Sequence, residues 1–171
     1  KSNRYLTPLA SKIFLAYEDA EGIDLKFKSK VVTTGNIIRE EILNFNNEKK
    51  YSTEELNILI LGGSQAAQTF GELLPKIFKQ CVEEKIKIKI IQQCTQSQNY
   101  QLKEYYKKLD INYELFNFTN NIFKYFSRVE LVITRSGASV TAELINCKIP
   151  FISIPYPYSA DSHQDKNAVY F

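Results

Sequence analysis

The sequence predicts an α/β domain, a Rossmann-like parallel sheet with helices on both faces. Apolar strand-like runs alternate about five times with amphipathic helix-like segments, which is the pattern of a doubly wound sheet. The run at residues 57–61 is apolar as far as Gly62, as expected of a strand covered on both faces. Two such runs end in turns of small residues followed by a helix, at residues 62–67 and 136–139.

Residues 1–34 differ from the rest of the chain. They predict a short helix near Pro8, a strand in KIFLAYEDA and a second extended segment in LKFKSKVVTTGN, too few elements to close a core. We interpret this stretch as the tail of an N-terminal domain and a linker. The predicted boundary is the turn signal Gly35-Asn36, so that residues 35–171 form the C-terminal domain.

The predicted domain begins with a short helix at residues 37–45 and a polar loop at 46–56. Its first strand leads into a long helix at 66–84, in which Pro75 predicts a kink. The alternating segment KIKIKII at 85–91 predicts a half-exposed strand. The remaining helices are predicted at 100–109, 121–128, 140–147 and from 164, the remaining strands at 112–118, 130–134 and 150–155, and a polar loop at 159–167.

Composition excludes several classes. A chain of 171 residues with 44% apolar residues can bury a core, and its net charge of +3 does not by itself favour nucleic acid. No apolar run approaches the roughly 20 residues of a membrane span. The three separated cysteines indicate a reducing compartment, and a single histidine argues against a zinc site. Because the chain begins at Lys1 and lacks methionine, we expect it to be part of a longer product.

The small-residue turns are the candidate site. A strand, a tight turn and a helix start leave several backbone N–H groups without acceptors, and the helix dipole adds positive charge. Phosphate binds well at such a place. At the first turn, the Ser64 hydroxyl and the amides of residues 65–67 are candidate donors; at the second, Glu143 lies one to two turns into the helix, where a carboxylate can accept bonds from a ribose diol.

Each of these motifs also has a plain structural interpretation. The glycine turn lacks the GxGxxG of dinucleotide sites and the GKS or GKT of a P-loop, and it serves equally well to pack a strand against a helix. Ser136 and Ser139 are ordinary helix-capping residues, and Glu143 suits a helix start in any protein. No Ser-His-Asp set or paired carboxylates can be assembled, so no catalytic residue is assigned.

Taken in order, the motifs are more specific. GNxxR, LGGSQAA, RSGASVTAEL, IPFISIPYP and DSHQDKNA resemble the C-terminal half of the MurG family of bacterial glycosyltransferases, from about Gly35 to the last residue. The resemblance implies a GT-B fold and an inverting transfer of N-acetylglucosamine from UDP-N-acetylglucosamine. The acceptor in that family is undecaprenyl-linked N-acetylmuramyl-pentapeptide (lipid I to lipid II), in peptidoglycan synthesis, and neither a metal nor a cofactor is implied.

The resemblance also implies residue roles. Ser64 would contact the diphosphate, the backbone at Thr119 would read the uracil edge, and Glu143 would hold the ribose hydroxyls. Arg39 would lie over the nucleotide. Ser139, Val140 and Thr141 would border the sugar and phosphates, and Gln164 would bind sugar hydroxyls with His163 beside it. Two positions depart from the family pattern: Ala66 stands where glycine is usual, and His163 replaces a glutamine of some members.

The half that the resemblance does not cover would carry the acceptor site, the general base and the membrane contact. The implied location is therefore the cytoplasmic side, peripheral on the inner face of the cell membrane. We expect this chain alone to bind the donor without turnover. Two alternatives remain open: the donor-binding subunit of a split lipid-linked N-acetylglucosamine transferase, and a non-catalytic UDP-sugar-binding remnant.

Overall fold

The computed structural model describes residues 5–18, 22–45 and 54–170, without the side chains of Ser64 and Gln65. The chain divides into two compact units, Lys1–Arg39 and Glu40–Phe171. Most of the loop predicted at residues 46–56 lies outside the described residues, as do residues 1–4 of the first predicted element.

The smaller unit contains one pair of parallel strands. Strand β1 (Ile13–Leu15) pairs with β2 (Val31–Thr33). The extended segment predicted before β2 is wrong in its first half, because Leu25–Lys30 is a 3-10 helix. In such a helix residues three apart lie one above the other, and the Lys30 ammonium accordingly sits 5.4 Å from the centre of the Phe27 ring.

The larger unit contains a five-stranded, entirely parallel sheet, which confirms the predicted α/β class. Its strands lie in the order β5-β4-β3-β6-β7. Their bounds are Leu56–Leu61 for β3, Ile88–Gln93 for β4, Asn112–Phe116 for β5, Leu131–Thr134 for β6 and Phe151–Ser153 for β7.

Helices connect these strands. Their bounds are Glu40–Leu43 for α1, Gly63–Glu83 for α2, Asn99–Lys108 for α3, Phe123–Phe126 for α4, Ala138–Asn146 for α5 and His163–Tyr170 for α6. Helix α2 starts earlier than predicted and is continuous through Pro75. The helix predicted from residue 164 is confirmed and begins at His163, so the loop predicted at residues 159–167 is wrong from that residue on.

Both faces of the sheet are buried. On one face, Ile58, Ile60 and Ile90 pack in a core cluster with Phe70 of α2 and Tyr106 of α3. The alternate strand positions point to the other face, and they are buried as well. They include Leu59, Ile91 and Val132, each 0% exposed. An uninterrupted apolar strand is therefore needed here, as the sequence predicted from residues 57–61.

One polar pair lies within this core. The Tyr106 hydroxyl donates to Gln92 Oε1 across 2.5 Å, and both side chains are fully buried. Burial raises the pKa of Tyr106 far above its usual range, with smaller contributions from Cys94 and Tyr105. The phenol therefore remains a hydrogen-bond donor and ties α3 to β4.

The predicted start of β4 is wrong by three residues, because α2 ends in a Schellman motif. Lys85 has the left-handed φ of 61°, its N–H donates to the Val82 carbonyl, and Ile86 N donates to the Cys81 carbonyl. Lys85 and Ile86 therefore complete the helix end, although their alternation suggests a strand, and the Lys87 carbonyl accepts the Leu56 N–H of β3. Asp110 and Lys148 have the same conformation and bonds after α3 and α5.

Among the described residues, no helix is both long enough and apolar enough to cross a bilayer.

Candidate functional site

The candidate site lies at the carboxyl edge, the edge of the sheet where all five parallel strands end. Strand β3 leads to β4 on one side of the sheet, whereas β6 leads to β7 on the other. The last paired residues of these two central strands are Leu61 and Thr134. The two small-residue turns therefore leave from neighbouring positions, at the topological switch point where open parallel sheets bind their ligands.

The first turn consists of Gly62 and Gly63, and it requires glycine at each position for a different reason. A Cβ on Gly62 would lie 2.4 Å from the backbone N of Ala67, because the first turn of α2 passes directly over it. Gly63 has space around it but a φ of +61°. Ala66 and Ala67 are 5% and 2% exposed, so small side chains let the helix start close to the sheet.

The second turn consists of Arg135, Ser136 and Gly137, and it leads into α5. The Ser136 side chain is buried and accepts a 2.7 Å bond from the Ser153 hydroxyl of β7, while the Asn167 amide of α6 donates to the Ser136 carbonyl. The N-cap residues of α2 and α5 are Gly62 and Gly137, and a glycine has no side chain that could accept a bond from the first helix amides. The first amides of both helices therefore depend on other groups or on a ligand for acceptors.

Helix α5 presents the predicted sugar- and phosphate-binding residues on different sides. Ser139 is exposed and Val140 is half-buried. Thr141 is 1% exposed, and its hydroxyl donates to the Gly137 carbonyl across 2.7 Å, so it stabilises the first turn of the helix. Glu143 is 8% exposed and is held within the fold, not directed into bulk solvent. The ligand contacts assigned to these four residues stay predictions.

The predicted base-binding segment follows β5. Phe118 is 75% exposed, and Thr119 is half-buried, with its hydroxyl accepting a bond from the Asn121 N–H. Strand β5 lies two strands away from β3, which corresponds to about 10 Å. This separation has the scale of one nucleoside, so a base near Thr119 and a diphosphate at the two-glycine turn are compatible.

The predicted sugar-binding segment follows β7, on the other side of the switch point. Gln164 Oε1 accepts the Tyr156 N–H across 2.9 Å, which leaves its amide group as the donor toward a sugar. His163 is exposed, with Nδ1 2.7 Å from the Ala160 carbonyl oxygen. In this structure both residues stabilise the segment between β7 and α6 through these bonds. Their contacts with a sugar stay predictions.

The roles of two further predicted residues stay predictions. Arg39 is the last residue of the smaller unit, and its contact with a nucleotide stays a prediction. The Ser64 side chain lies outside the described part of the structure, and its contact with the diphosphate stays a prediction as well.

Sequence reasoning did not select Arg135, which the structure places at the switch point. Its guanidinium lies 4.8 Å from the centre of the Phe70 ring, and Nη1 donates to the carbonyls of Ile154 and Pro155. Burial lowers the pKa of Arg135, with Tyr156 opposing the shift. Within the described ranges Nε is buried without a hydrogen-bond partner. Arg135 therefore adds a positive charge and a donor without an acceptor at the second turn.

The described residues contain no cluster of three or more His, Cys, Asp or Glu side chains able to hold a metal ion.

A parallel sheet with two helix starts at its switch point and a cation beside them defines the class of Rossmann-like nucleotide-binding domains. Within that class, residues 57–171 match the model of the glycosyltransferase family 28 C-terminal domain. The chain belongs to this family. Its fold is the GT-B type that the motifs predicted.

Known relatives support the same assignment. The chain is 37% identical to the UDP-N-acetylglucosamine–N-acetylmuramyl-(pentapeptide) pyrophosphoryl-undecaprenol N-acetylglucosamine transferase of Rickettsia felis, over 98% of this chain and 49% of that protein. It is 34% identical to the protein of the same name from Pelagibacter ubique, over 100% of this chain and 48% of that protein. The chain thus spans about half the length of the curated relatives it matches.

Among solved structures, the chain is similar to MurG of Acinetobacter baumannii. The TM-score is 0.74 and the sequence identity is 26%, over 99% of this chain and 46% of that one. The resemblance that the motifs indicated is therefore confirmed.

Proposed function

We propose that this chain binds UDP-N-acetylglucosamine along its carboxyl edge and is the donor-binding domain of a peptidoglycan glycosyltransferase. The observation that carries the proposal is the pairing of Leu61 with Thr134, because it sets two helix starts side by side. Two sets of backbone amides and two helix dipoles then act on the same anionic group. The names of the relatives supply the identity of the sugar and of the base.

The donor is proposed to lie across the strand ends. Its uracil lies by Thr119 after β5, its diphosphate at the two turns, and its N-acetylglucosamine by His163 and Gln164 after β7. Glu143 on α5 accepts bonds from the ribose hydroxyls, and Arg135 adds positive charge near the diphosphate. This order follows the strand order, with the diphosphate in the middle.

In the whole reaction, a hydroxyl of the undecaprenyl-linked acceptor attacks the anomeric carbon of the sugar, and the bond from that carbon to the diphosphate oxygen breaks. Negative charge grows on the leaving UDP as this bond breaks. Amides and a guanidinium that are already oriented stabilise that charge without further reorganisation. We propose that the acceptor and its membrane contact on the cytoplasmic face involve a part of the enzyme other than this chain.

Calorimetry of the chain with four ligands tests the proposal. UDP-N-acetylglucosamine and UDP should bind with similar affinity, whereas ADP and NAD should bind at least about tenfold more weakly, a difference of about 1.4 kcal/mol. Equal affinity for UDP and ADP would contradict the assignment of uracil recognition. Absence of binding by all four ligands would contradict the assignment of a nucleotide site.

A further inference from the structure

Gln93 ends β4 beside the two-glycine turn, and neither the motifs nor the proposed donor contacts assign it a role. Its Oε1 accepts the N–H groups of Gly62 and Gly63, at 3.3 and 3.1 Å. Its Nε2 donates to the Asn117 carbonyl at 3.3 Å. One half-buried side chain thus joins the ends of three strands, β3, β4 and β5.

The two bonds to Gln93 Oε1 come from backbone amides at the start of α2, the kind of donor that a phosphate binds. The amides at the start of a helix have no intrahelical acceptors, and α2 starts at Gly63 without a side-chain cap of its own. Gln93 accepts from the first two of these amides. The amides of Ser64 and Gln65 come next in the helix.

The same side chain reaches the segment proposed for the base. Asn117 directly precedes Phe118 and Thr119, and its amide also donates to the Cys94 carbonyl at 2.9 Å. In addition, Gln98 Nε2 donates to the Gln68 carbonyl of α2 at 2.9 Å. The ends of β4 and β5 are therefore tied to each other and to the first turns of α2.

We propose that Gln93 is a positioning residue for the diphosphate of the donor. Its carboxamide holds the two-glycine turn in its left-handed conformation at Gly63, so that the next amides of α2 are aimed at the phosphates. This inference rests on the proposed function of the carboxyl edge. It assigns to Gln93 no contact with the donor.

A competing role predicts the opposite effect of mutation. If Gln93 merely occupied amides that the phosphate needs, then a ligand would have to displace it, and removing the carboxamide would tighten binding. If Gln93 positions the turn, its removal weakens the binding of phosphate-containing ligands. The sign of the change in affinity therefore separates the two.

The experiment uses the full chain and three variants. Gln93→Met keeps the length of the side chain but removes its hydrogen bonds, and Gln93→Glu keeps an acceptor for the glycine amides. Gln96→Met is the control, because Gln96 is an exposed residue of a 3-10 helix, Gln96–Gln98, that follows β4. Affinities for UDP and uridine are measured by NMR titration, and exchange of the Gly62 and Gly63 amides is measured without ligand.

We expect Gln93→Met to weaken UDP binding by about tenfold and uridine binding by less than about twofold, the effect expected for lost hydrogen bonds to a ligand cradle. The amide hydrogens of Gly62 and Gly63 should exchange about tenfold faster in Gln93→Met than in the wild type. In Gln93→Glu their exchange rate should equal that of the wild type. Gln93→Glu is used only for exchange, since its charge would repel the diphosphate directly. Gln96→Met should match the wild type throughout.

The outcomes are separable. If the wild type binds UDP no better than uridine, the proposed function is wrong and the role of Gln93 at a diphosphate is wrong with it. If the wild type prefers UDP and Gln93→Met keeps or increases that preference, only the positioning role is overturned. Equal losses for UDP and uridine, or unchanged exchange of the glycine amides, also overturn it.

Discussion

Gly62 and Gly137 precede the two helices of the carboxyl edge, but they differ in what an added methyl group meets. At Gly62 a Cβ lies 2.4 Å from Ala67 N and 2.6 Å from the Ala66 carbonyl carbon, so the backbone must move. At Gly137 the nearest atom is Val140 Cγ1 at 3.6 Å, which is an ordinary contact.

We expect Gly62→Ala to lower the free energy of unfolding by about 1–3 kcal/mol, as overpacking does, and Gly137→Ala by less than about 1 kcal/mol. Urea denaturation of the two variants measures the difference. Each variant replaces a glycine that directly precedes a helix, α2 or α5, so each serves as the control for the other. Equal losses in the two variants would contradict the close approach of α2 to Gly62.

Glu143 is the residue with the most specific predicted chemistry, since a carboxylate recognises a diol. We expect Glu143→Ala to weaken UDP binding by about tenfold, the scale of a charged hydrogen bond, and to remove the preference for UDP over 2′-deoxy-UDP. Calorimetry with both nucleotides measures this preference. Glu83→Ala, at the far end of α2, is the control and should keep it. A preference that survives in Glu143→Ala would mean that a group other than Glu143 recognises the ribose, and it would contradict the role proposed for this carboxylate.

At the scale of elements, three helices of the larger unit end in the same way. Helices α2, α3 and α5 are each followed by a non-glycine residue of positive φ, namely Lys85 at 61°, Asp110 at 54° and Lys148 at 53°. The left-handed conformation costs a residue with a Cβ about 1–2 kcal/mol, whereas glycine adopts it readily. The Schellman hydrogen bonds of the chain evidently outweigh this cost at all three positions.

Replacing Lys85 with glycine should therefore stabilise the chain by about 1 kcal/mol. Lys76→Gly is the matched control, because Lys76 lies in the interior of α2 with helical neighbours and glycine there should destabilise by about 1 kcal/mol. Thermal and urea unfolding of both variants measure the sign of each change in the free energy of unfolding. A loss of stability in Lys85→Gly would mean that the lysine side chain contributes more than its backbone conformation costs.

At the scale of the whole molecule, the proposed donor site has no assigned general base. The groups proposed to bind the donor are backbone amides, a guanidinium and a carboxylate, and none of these groups is assigned to activate an acceptor hydroxyl. We therefore expect this chain alone to bind the donor without transferring its sugar.

We expect the chain to bind UDP-N-acetylglucosamine but to release no UDP when it is incubated with the donor and the lipid-linked acceptor. A coupled assay for UDP measures release, and calorimetry on the same preparation verifies binding. Adding the N-terminal half of a relative as a separate protein tests the split-enzyme alternative. Sustained release of UDP by the chain alone would contradict the expectation. Donor binding without release of UDP, both by the chain alone and with the added N-terminal half, would favour a non-catalytic remnant.

Local patterns in the sequence were sufficient for much of the fold and for the two turns of the candidate site. The apolar run at residues 57–61 predicted a strand that is buried on both faces, since burial on two sides demands apolar residues at every position. The motifs predicted the family, because their residues and their order along the chain resemble those of the MurG family. The order of motifs along a chain can be read without knowing what lies across the sheet.

The start of β4 could not be predicted in this way. Residues 85–87 continue the strand-like alternation of lysine and isoleucine, but hydrogen bonds back to Cys81 and Val82 assign Lys85 and Ile86 to the end of α2. No glycine or proline marks that end. The decision depends on competition between helix closure and strand pairing, which alternation alone does not encode.

The sequence by itself determined the fold class, the family and the type of residue at each turn, because these follow from short-range pattern. Only the tertiary structure decided that Leu61 pairs with Thr134, that Arg135 lies against Phe70, and that Gln93 bonds the two glycine amides. Each of these contacts joins residues at least thirty positions apart, and it forms because strand order brings them together.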